Sequence, residues 1–264
     1  MKVLIFSLSY FPLVGGAEVA VKEITGRVPA SEIKWDMVTL RFDKKHPKFE
    51  KIGNVNVYRV GGGLGYLSKI LFVPQALLFA LRREYDMYWA MMTYMLFPAS
   101  LAHLFTETPY VLTLQDGDPF TRVFNRPYIL PFRPVLSYGF RHALKVQTIS
   151  NFLAGWATQA GYRGKSYVIP NGVDIKKFES VQHRVLDKEN VVLITTSRLV
   201  EKNGVGDIIE AMKLLPKSFT FRILGIGPLE HVLKTRVKKL GLEQQVTFSG
   251  FTSQEDIPRH LSHA

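Results

Sequence analysis

The sequence contains no cysteine and comparatively few acidic residues. Among its 264 residues, 22 are Asp or Glu and 34 are Lys or Arg, which gives a formal net charge of +12 at pH 7. The absence of cysteine excludes a disulfide framework and a thiolate metal site, and it is typical of a cytoplasmic protein. The shortage of acidic residues predicts a surface that attracts anionic partners, such as nucleotide phosphates, nucleic acid or an acidic membrane leaflet.

Two apolar stretches each allow two interpretations. Residues 1–10 contain the apolar run of a signal peptide, but Pro12 and the amphipathic pattern after it favour a first strand. Residues 87–105 are nearly uncharged and about long enough to span a bilayer, but Pro98 favours a strand followed by a helix. We therefore expect a strand and a strand–helix pair at these places.

Apolar runs alternate with amphipathic segments along the whole chain, which predicts an α/β fold. Hydrophobic residues make up 47% of the chain, enough to form a substantial core. We expect a first domain over residues 1–175, a polar linker over 176–190 and a second domain over 191–264. The predicted strands of the first domain are 3–8, 34–40, 55–60, 85–93, 110–114, 145–149 and 167–169, and those of the second are 191–197, 219–224 and 246–249.

A cationic loop opens the second domain. The run Val191–Ser197 is apolar and β-branched, which predicts a buried parallel strand, and a helix is expected from residue 205. Arg198 and Lys202 lie in the loop between them, at the edge of the sheet where α/β proteins bind ligands. The two cations either hold a diphosphate or are ordinary solvated charges.

Two pairs of glycines also follow strands and precede helices. Gly15 and Gly16 are predicted to adopt left-handed backbone angles, to approach a ligand closely and to leave the amides of the next helix free for an anion. Gly225 and Gly227 occupy the same place after the strand 219–224. An ordinary strand-to-helix turn explains Gly15 and Gly16 equally well.

Two further segments each allow more than one interpretation. Asp116-Gly117-Asp118 follows the strand 110–114 and is either a metal site for a sugar nucleotide or a simple turn. The segment Phe120–His142 interleaves aromatic residues with arginines. This pattern is typical of nucleobase stacking, of a lipid interface, or of core packing in which the arginine heads reach solvent.

Four segments in this order resemble one family. They are Phe11–Glu18, Val168–Asp174, Ser197–Gly204 and Leu224–Pro228. Together they resemble the group 1 (family 4) retaining glycosyltransferases of the GT-B fold. The resemblance implies two Rossmann-like domains, the first binding an acceptor and the second a nucleotide-sugar donor such as a UDP- or GDP-sugar. It also implies that no metal or cofactor is needed, because cations and helix amides neutralise the departing diphosphate.

The resemblance also assigns roles by position. It implies that Gln115 and Asp116 are catalytic, and that Glu18, Asn171 and Gly172 line the cleft between the domains. The residues implied to contact the donor phosphates or nucleotide are Gly15, Gly16, Arg198, Lys202, Gly225 and Gly227.

Three departures from the family pattern accompany the resemblance. The family places a lysine directly before the glycine of the cationic loop, where this chain has Asn203, with Lys202 one residue earlier. Many members have a histidine where this chain has Gln115 and Asp116, and a glutamine cannot act as a general base. The paired-glutamate donor motif is expected shortly after residue 264, so we expect the second domain to be incomplete here.

The resemblance predicts a glycosyltransferase that moves a sugar to a glycan or lipid-linked acceptor at the cytoplasmic membrane face. Weak or no turnover is expected from these 264 residues alone. The competing hypotheses are a sugar-nucleotide epimerase of the same architecture and a non-enzymatic protein that binds polyanions or acidic membranes. Nucleic acid is not expected as a partner, because no nucleic-acid-binding module is recognisable.

Overall fold

The computed structural model describes residues 1–62, 65, 67–127, 129–179, 190–262 and 264. The chain divides into two compact units, Met1–Gly172 and Val173–Ala264, here called unit 1 and unit 2. A short helix covers Ile175–Glu179 at the start of the predicted linker. Residues 180–189 lie outside the described residues, so the linker over 176–190 stays a prediction.

Unit 1 contains an eight-stranded sheet with the order β3-β4-β2-β1-β5-β6-β7-β8. Every neighbouring pair is parallel except β3 and β4, which form an antiparallel hairpin. The strands are β1 Lys2–Phe6, β2 Lys34–Leu40, β3 Phe49–Ile52, β4 Val55–Val60, β5 Met87–Met91, β6 Tyr110–Leu114, β7 Lys145–Thr148 and β8 Tyr167–Val168.

Helices connect the parallel strands of unit 1. The helices are α1 Gly16–Arg27, α2 Leu67–Leu81, α3 Leu96–Thr106, α4 Phe120–Phe124, α5 Arg133–His142 and α6 Asn151–Gln159, with short 3-10 helices at Thr93–Met95 and Leu130–Phe132.

The two faces of this sheet are covered by two apolar layers. Val21 of α1 packs with Val3, Ile5 and Met37 on one face. The helices α2, α3, α5 and α6 pack on the other face, where Phe6, Leu112 and Val146 contribute to the core. Both sides of the central strands are therefore buried, which explains their nearly continuous apolar sequences.

The strand order reverses between β1 and β5. From β1 the chain proceeds outward to β2 and β4, then returns across β1 to form β5 and continues in the opposite direction. The loops that follow β1 and β5 consequently diverge from each other. In α/β sheets this reversal creates a crevice at the carboxyl ends of the strands, and such crevices bind ligands.

Unit 2 contains a parallel three-stranded sheet with the order β11-β10-β9. Its core joins Leu199, Ile209, Phe221 and Leu233. The elements are α7 Ile175–Glu179, β9 Val191–Thr196, a 3-10 helix Glu201–Asn203, α8 Val205–Met212, β10 Phe219–Leu224, α9 Glu230–Lys239, β11 Val246–Gly250 and α10 Ile257–Leu261.

One strand of each unit differs from the prediction. The strand β9 is parallel as expected, but the prediction that it is buried is wrong: residues 191–195 are half-buried and Thr196 is exposed. Position explains the difference, because β9 is at the edge of its sheet while β10 is central. The hairpin strand β3 was not predicted, since Phe49–Ile52 is short and half its residues are charged.

The ambiguous apolar stretches are resolved in favour of a folded α/β unit. Residues 2–6 form the central strand β1, so the prediction of a first strand is confirmed. The stretch 87–105 divides into β5 and most of α3, as expected. Among the described residues, no helix combines the length and the apolar character needed to cross a bilayer.

Candidate active site

The loop after β1 has a different backbone from the predicted one. Gly15 is the residue that precedes α1 and is extended, with φ −139° and ψ −175°, and Gly16 is not among the glycines with positive φ. The prediction of left-handed angles at both positions is therefore wrong. A β-carbon at Gly15 would lie 2.7 Å from Oε2 of Glu18, the flexible end of a side chain, so a larger residue here would require Glu18 to shift.

Glu18 lies in the first turn of α1, where a carboxylate is favoured by the free amides of the helix start. Its Oε1 accepts a hydrogen bond from the hydroxyl of Ser9 at 2.5 Å. Glu18 of α1 thus connects the helix to the loop after β1 through this hydrogen bond. An anionic ligand at this helix start would lie beside Glu18, whose charge it would have to tolerate.

Arg59 also holds the loop after β1 in place, through a hydrogen bond to the backbone of Phe11. The residue is the fifth of β4, and its side chain is almost completely buried. The guanidinium donates to the carbonyl of Phe11 at 2.6 Å and to that of Pro47 at 3.2 Å, and it also forms an ion pair with Glu50. A buried cation with several partners holds the loop in one position. No sequence motif marked Arg59 as part of the site.

Asp116 lies at the carboxyl end of β6, next to the loop after β5. Its Oδ2 accepts hydrogen bonds from the backbone N–H of Thr93 at 3.2 Å and from the Thr93 hydroxyl at 3.0 Å. Burial raises the pKa of this carboxyl group, and the bonds from Thr93 oppose the rise. Met92, just before Thr93, has φ 68°, a strained value for a residue with a side chain.

Gln115 and Asn171 are joined by two reciprocal amide hydrogen bonds. Gln115 Nε2 donates to Asn171 Oδ1 at 3.1 Å, and Asn171 Nδ2 donates to Gln115 Oε1 at 3.2 Å. The pair connects the end of β6 to the segment after β8, with Gly172 following as the last residue of unit 1. Both amide planes are therefore fixed in orientation at the sheet edge.

Contacts also define the roles of Asp118 and of the aromatic–arginine segment. Asp118 forms an ion pair with Arg126 at 3.8 Å, and the described residues contain no cluster of three or more His, Cys, Asp or Glu side chains suited to a metal ion.

In the aromatic–arginine segment, Phe124 and Phe140 are buried, and Phe124 packs edge-to-face on Trp156. For these phenylalanines the core-packing interpretation is confirmed.

The cationic loop of unit 2 follows β9 as predicted. Arg198 and Lys202 are both exposed, and Lys202 lies in the short 3-10 helix before α8. Asn203 donates a hydrogen bond from Nδ2 to the backbone carbonyl of Arg198 at 2.7 Å. Asn203, at the position where the resemblance leads one to expect a lysine, therefore links the two ends of the loop by a hydrogen bond. Gly204 then turns the chain into α8 with φ 64°.

Gly225 and Gly227 lie against the cationic loop. A β-carbon on Gly225 would be 2.0 Å from the carbonyl oxygen of Ser197, and one on Gly227 would be 2.3 Å from that of Leu199. Leu199 also donates its N–H to the carbonyl of Ile226 at 3.1 Å. The loops after β9 and β10 are thus packed main chain to main chain, which only glycine permits.

The predicted site residues fall into two local sets. Those of unit 1 lie after the carboxyl ends of β1, β6 and β8, either in loops or, for Gly16 and Glu18, in the first turn of α1. Those of unit 2 lie in the two interlocked loops after β9 and β10. Sequence reasoning did not find Ser9, Arg59 or Thr93, which hold the predicted residues in place. Ordinary residue types at ordinary spacings give no signal for such contacts.

Comparison with known proteins agrees with this architecture. The sequence profile described as "Glycosyltransferase Family 4" matches residues 14–177, and the profile "Glycosyl transferases group 1" matches residues 176–264. The fold and the loops define an α/β protein of the GT-B class. The chain belongs to glycosyltransferase family 4.

Curated relatives match over part of their length. The chain is 31% identical over 146 residues to the putative colanic acid biosynthesis glycosyltransferase WcaL of Escherichia coli, covering 54% of this chain and 36% of that protein. It is 35% identical over 96 residues to the amylovoran biosynthesis glycosyltransferase AmsK of Erwinia amylovora, covering 35% of this chain and 23% of that protein. The matched segments thus cover only 36% and 23% of the length of these relatives.

Solved structures share the fold at lower identity. HepE from Anabaena, crystallised in complex with UDP-glucose, superposes with a TM-score of 0.72 at 23% identity, covering 99% of this chain and 71% of that chain. Sucrose-phosphate synthase from Thermosynechococcus elongatus superposes with a TM-score of 0.78 at 15% identity, covering 99% and 73%. Both confirm the predicted GT-B fold class.

Proposed function

We propose that this chain is the catalytic part of a retaining glycosyltransferase that takes its sugar from a nucleotide-sugar donor, such as a UDP- or GDP-sugar. The observation that carries the proposal is the exposed Arg198 in a loop held by Asn203 and closed against Gly225 and Gly227. Membership of glycosyltransferase family 4 supports it. The complex of HepE with UDP-glucose supports the choice of donor class.

The chemistry explains why cations are needed at this loop. As the bond from the anomeric carbon to the diphosphate breaks, its electron pair leaves with the diphosphate oxygen. A new bond forms on the same face to the acceptor hydroxyl, whose proton passes to the departing diphosphate. Negative charge grows on the diphosphate in the transition state, so fixed positive groups stabilise that state more than the ground state.

Roles in the proposed reaction follow from position. Arg198 is assigned to the diphosphate as a bidentate donor and Lys202 as a point charge. The backbone of Gly225 and Gly227 is assigned to the nucleotide side, and that of Gly15 and Gly16 to the donor phosphate. On the acceptor side we assign the remaining residues at the sheet edge of unit 1, which are Glu18, Gln115, Asp116, Asn171 and Gly172.

No metal or cofactor is required by this proposal, because the cations and the helix starts neutralise the leaving group. The proposed acceptor is a glycan or a lipid-linked glycan, reached at the cytoplasmic face of an acidic membrane. Weak turnover by these 264 residues alone stays a prediction, so donor binding is the more informative measurement.

Calorimetry with UDP, GDP and UMP tests the proposal. Binding of a nucleoside diphosphate is expected to weaken roughly tenfold to a hundredfold in Arg198→Ala, as for the loss of one charge-assisted hydrogen bond. Lys213→Ala is the matched control, because Lys213 is an exposed cation at the opposite end of α8. Equal weakening in both variants, or no preference for diphosphates over UMP, contradicts the assignment of Arg198.

A second pair of variants tests Lys202. If Lys202 performs the role of the family lysine, Lys202→Ala weakens diphosphate binding. Adding Asn203→Lys to that variant restores part of the affinity, because a lysine then directly precedes Gly204. Unchanged affinity in Lys202→Ala argues against any phosphate contact by this side chain.

A further inference from the structure

The outer face of α2 carries an uninterrupted row of exposed apolar side chains. The inner face of the helix buries Phe72, Ala76 and Ala80 against the sheet, as expected. On the outer face, the five large side chains are between 40% and 59% exposed, and Pro74 between them is exposed too. We call this row the α2 stripe, and its members are Leu67, Ile70, Leu71, Pro74, Leu78 and Leu81.

The α2 stripe is long and continuous. Its spacing of three, one, three, four and three residues places all members on one side of the helix. From Leu67 to Leu81 the helix rises about 21 Å, which is a large linear apolar surface for a water-exposed helix. Isolated exposed apolar residues need no explanation, but a contiguous row of this length marks an interaction surface.

Aromatic contacts join this surface to the 3-10 helix before α5. Phe132 is 53% exposed, and its ring packs edge-to-face on Phe97 at 6.1 Å. Phe97 in turn packs on Tyr94 at 5.6 Å, and the hydroxyl of Tyr94 donates to the carbonyl of Lys69 in α2 at 2.6 Å. Phe132 is therefore linked through two rings to the N-terminal turn of α2.

The helical layer around the α2 stripe lacks carboxylates. Residues 67–83, 96–106 and 119–142 contain no Asp or Glu, although the chain has 22 such residues. The helices of these segments pack on one another, α2 on α3 and α3 on α5. The same segments contain seven cationic side chains. Lys69, Arg82 and Arg83 lie in or directly after α2, and Arg122, Arg126, Arg133 and Arg141 lie in the segment 119–142, where Arg126 is paired with Asp118.

We propose that the α2 stripe and the cations around it dock on an anionic lipid bilayer. The inference deepens the membrane contact named in the proposed function by assigning its surface, and it does not depend on donor binding. An apolar row flanked by Lys and Arg suits the boundary between acyl chains and anionic headgroups. A second copy of this chain is disfavoured as the occupant, because it would bring two carboxylate-free basic surfaces together.

Binding to lipid vesicles tests the proposal. The chain is expected to sediment with vesicles of phosphatidylglycerol and phosphatidylcholine and much less with phosphatidylcholine alone. The double variant Ile70→Glu/Leu78→Glu is expected to bind the anionic vesicles at least tenfold more weakly. The matched control is Leu214→Glu in unit 2, because Leu214 is 85% exposed and lies outside the α2 stripe.

A charge series separates local docking from general electrostatic attraction. Arg82→Glu, directly after α2, and Arg133→Glu, next to Phe132, are both at exposed positions. Each is expected to weaken vesicle binding more than Lys217→Glu in unit 2. Equal weakening by all three would overturn the assignment to α2. So would vesicle binding that persists in Ile70→Glu/Leu78→Glu with unchanged circular dichroism.

Sedimentation equilibrium tests the competing occupant. Concentration-dependent dimers that disappear in Ile70→Glu/Leu78→Glu would show that a second copy covers the stripe, which contradicts the proposal. UDP binding by the same variants separates the two claims. Loss of vesicle binding with normal UDP binding supports docking by α2, whereas normal vesicle binding without UDP binding contradicts only the proposed donor site.

Discussion

Gln115 and Asn171, which are 56 residues apart in sequence, face each other through two reciprocal amide hydrogen bonds of 3.1 and 3.2 Å. The resemblance to the family assigned them to different roles, one catalytic and one in the cleft. Their contact means that neither side chain can turn toward a ligand without releasing the other. Each amide keeps a second N–H and a second acceptor site, so a ligand can engage Gln115 either beside the pair or by displacing Asn171.

The strength of this pair can be measured in unit 1 alone, because all three tryptophans, Trp35, Trp89 and Trp156, lie there. Urea unfolding followed by tryptophan fluorescence is expected to give a coupling energy of about 0.5–1 kcal/mol between Gln115→Ala and Asn171→Ala, as for an exposed hydrogen-bonded pair. Gln115→Ala with Asn54→Ala, which share no contact, should be additive. Additive effects for the first pair would contradict the contact.

The raised pKa of Asp116 predicts a pH dependence of stability. Between the ordinary carboxyl pKa of 3.8 and the raised value, the folded state binds more protons than the unfolded state. The free energy of unfolding therefore falls as the pH rises through this window. Asp116→Asn removes this loss, so its stability relative to the parent chain should increase as the pH rises above the ordinary carboxyl pKa of 3.8.

Thr93→Val provides the control for this prediction. It removes the hydroxyl that donates to Asp116 and opposes the rise in pKa, so the fall in unfolding free energy should extend to higher pH and become larger in total. A pH profile that is identical in the parent chain and both variants would show that Asp116 does not titrate in this range. Tryptophan fluorescence in urea at several pH values gives the profiles.

Arg59 is expected to be a strong determinant of the loop after β1. Arg59→Met leaves the carbonyls of Phe11 and Pro47 without their donor and Glu50 without its cation. We expect the free energy of unfolding of unit 1 to fall by about 2–4 kcal/mol. Glu50→Gln should cost less than Arg59→Met, because the side chain of residue 50 is 36% exposed and the glutamine oxygen still accepts a hydrogen bond from Arg59. Similar losses in both variants would contradict the anchoring role.

Gly225→Ala tests the close packing of the two loops in unit 2. The added β-carbon would collide with the carbonyl of Ser197, and φ is 153°, so the cationic loop must shift. Diphosphate binding should weaken by more than tenfold. Gly241→Ala is the control, since Gly241 also has positive φ (66°) but open space around it. Equal effects on affinity would mean that backbone strain alone is responsible.

Periodicity in the sequence was sufficient for most of the fold. The strands Lys34–Leu40, Val55–Val60, Tyr110–Leu114 and Phe219–Leu224 match the predicted ends, because apolar runs bounded by polar turns determine them locally. The edge position of β9 was not predictable, because an apolar run looks the same in a central strand and in an edge strand. Only the order of the strands distinguishes the two.

The candidate site was predictable in position but not in its internal contacts. Residues after parallel strands gather at one edge, so loops such as those of Gln115 and Arg198 could be named from the sequence. The residues that hold these loops in place by hydrogen bonds could not be named from the sequence. Thr93 bonds to Asp116 directly after Met92, whose positive φ no sequence pattern indicates for methionine. The strained backbone is set by tertiary packing.

The interlocked loops of unit 2 limit how this protein can be redesigned. Because main chain touches main chain at Gly225 and Gly227, lengthening either loop would separate both from their shared support. Changes to the proposed donor site are therefore more accessible through exchange of outward-facing side chains, such as the exposed Ile226, than through insertions. The same constraint makes insertion scanning a practical way to map which residues take part in the close main-chain packing of these two loops.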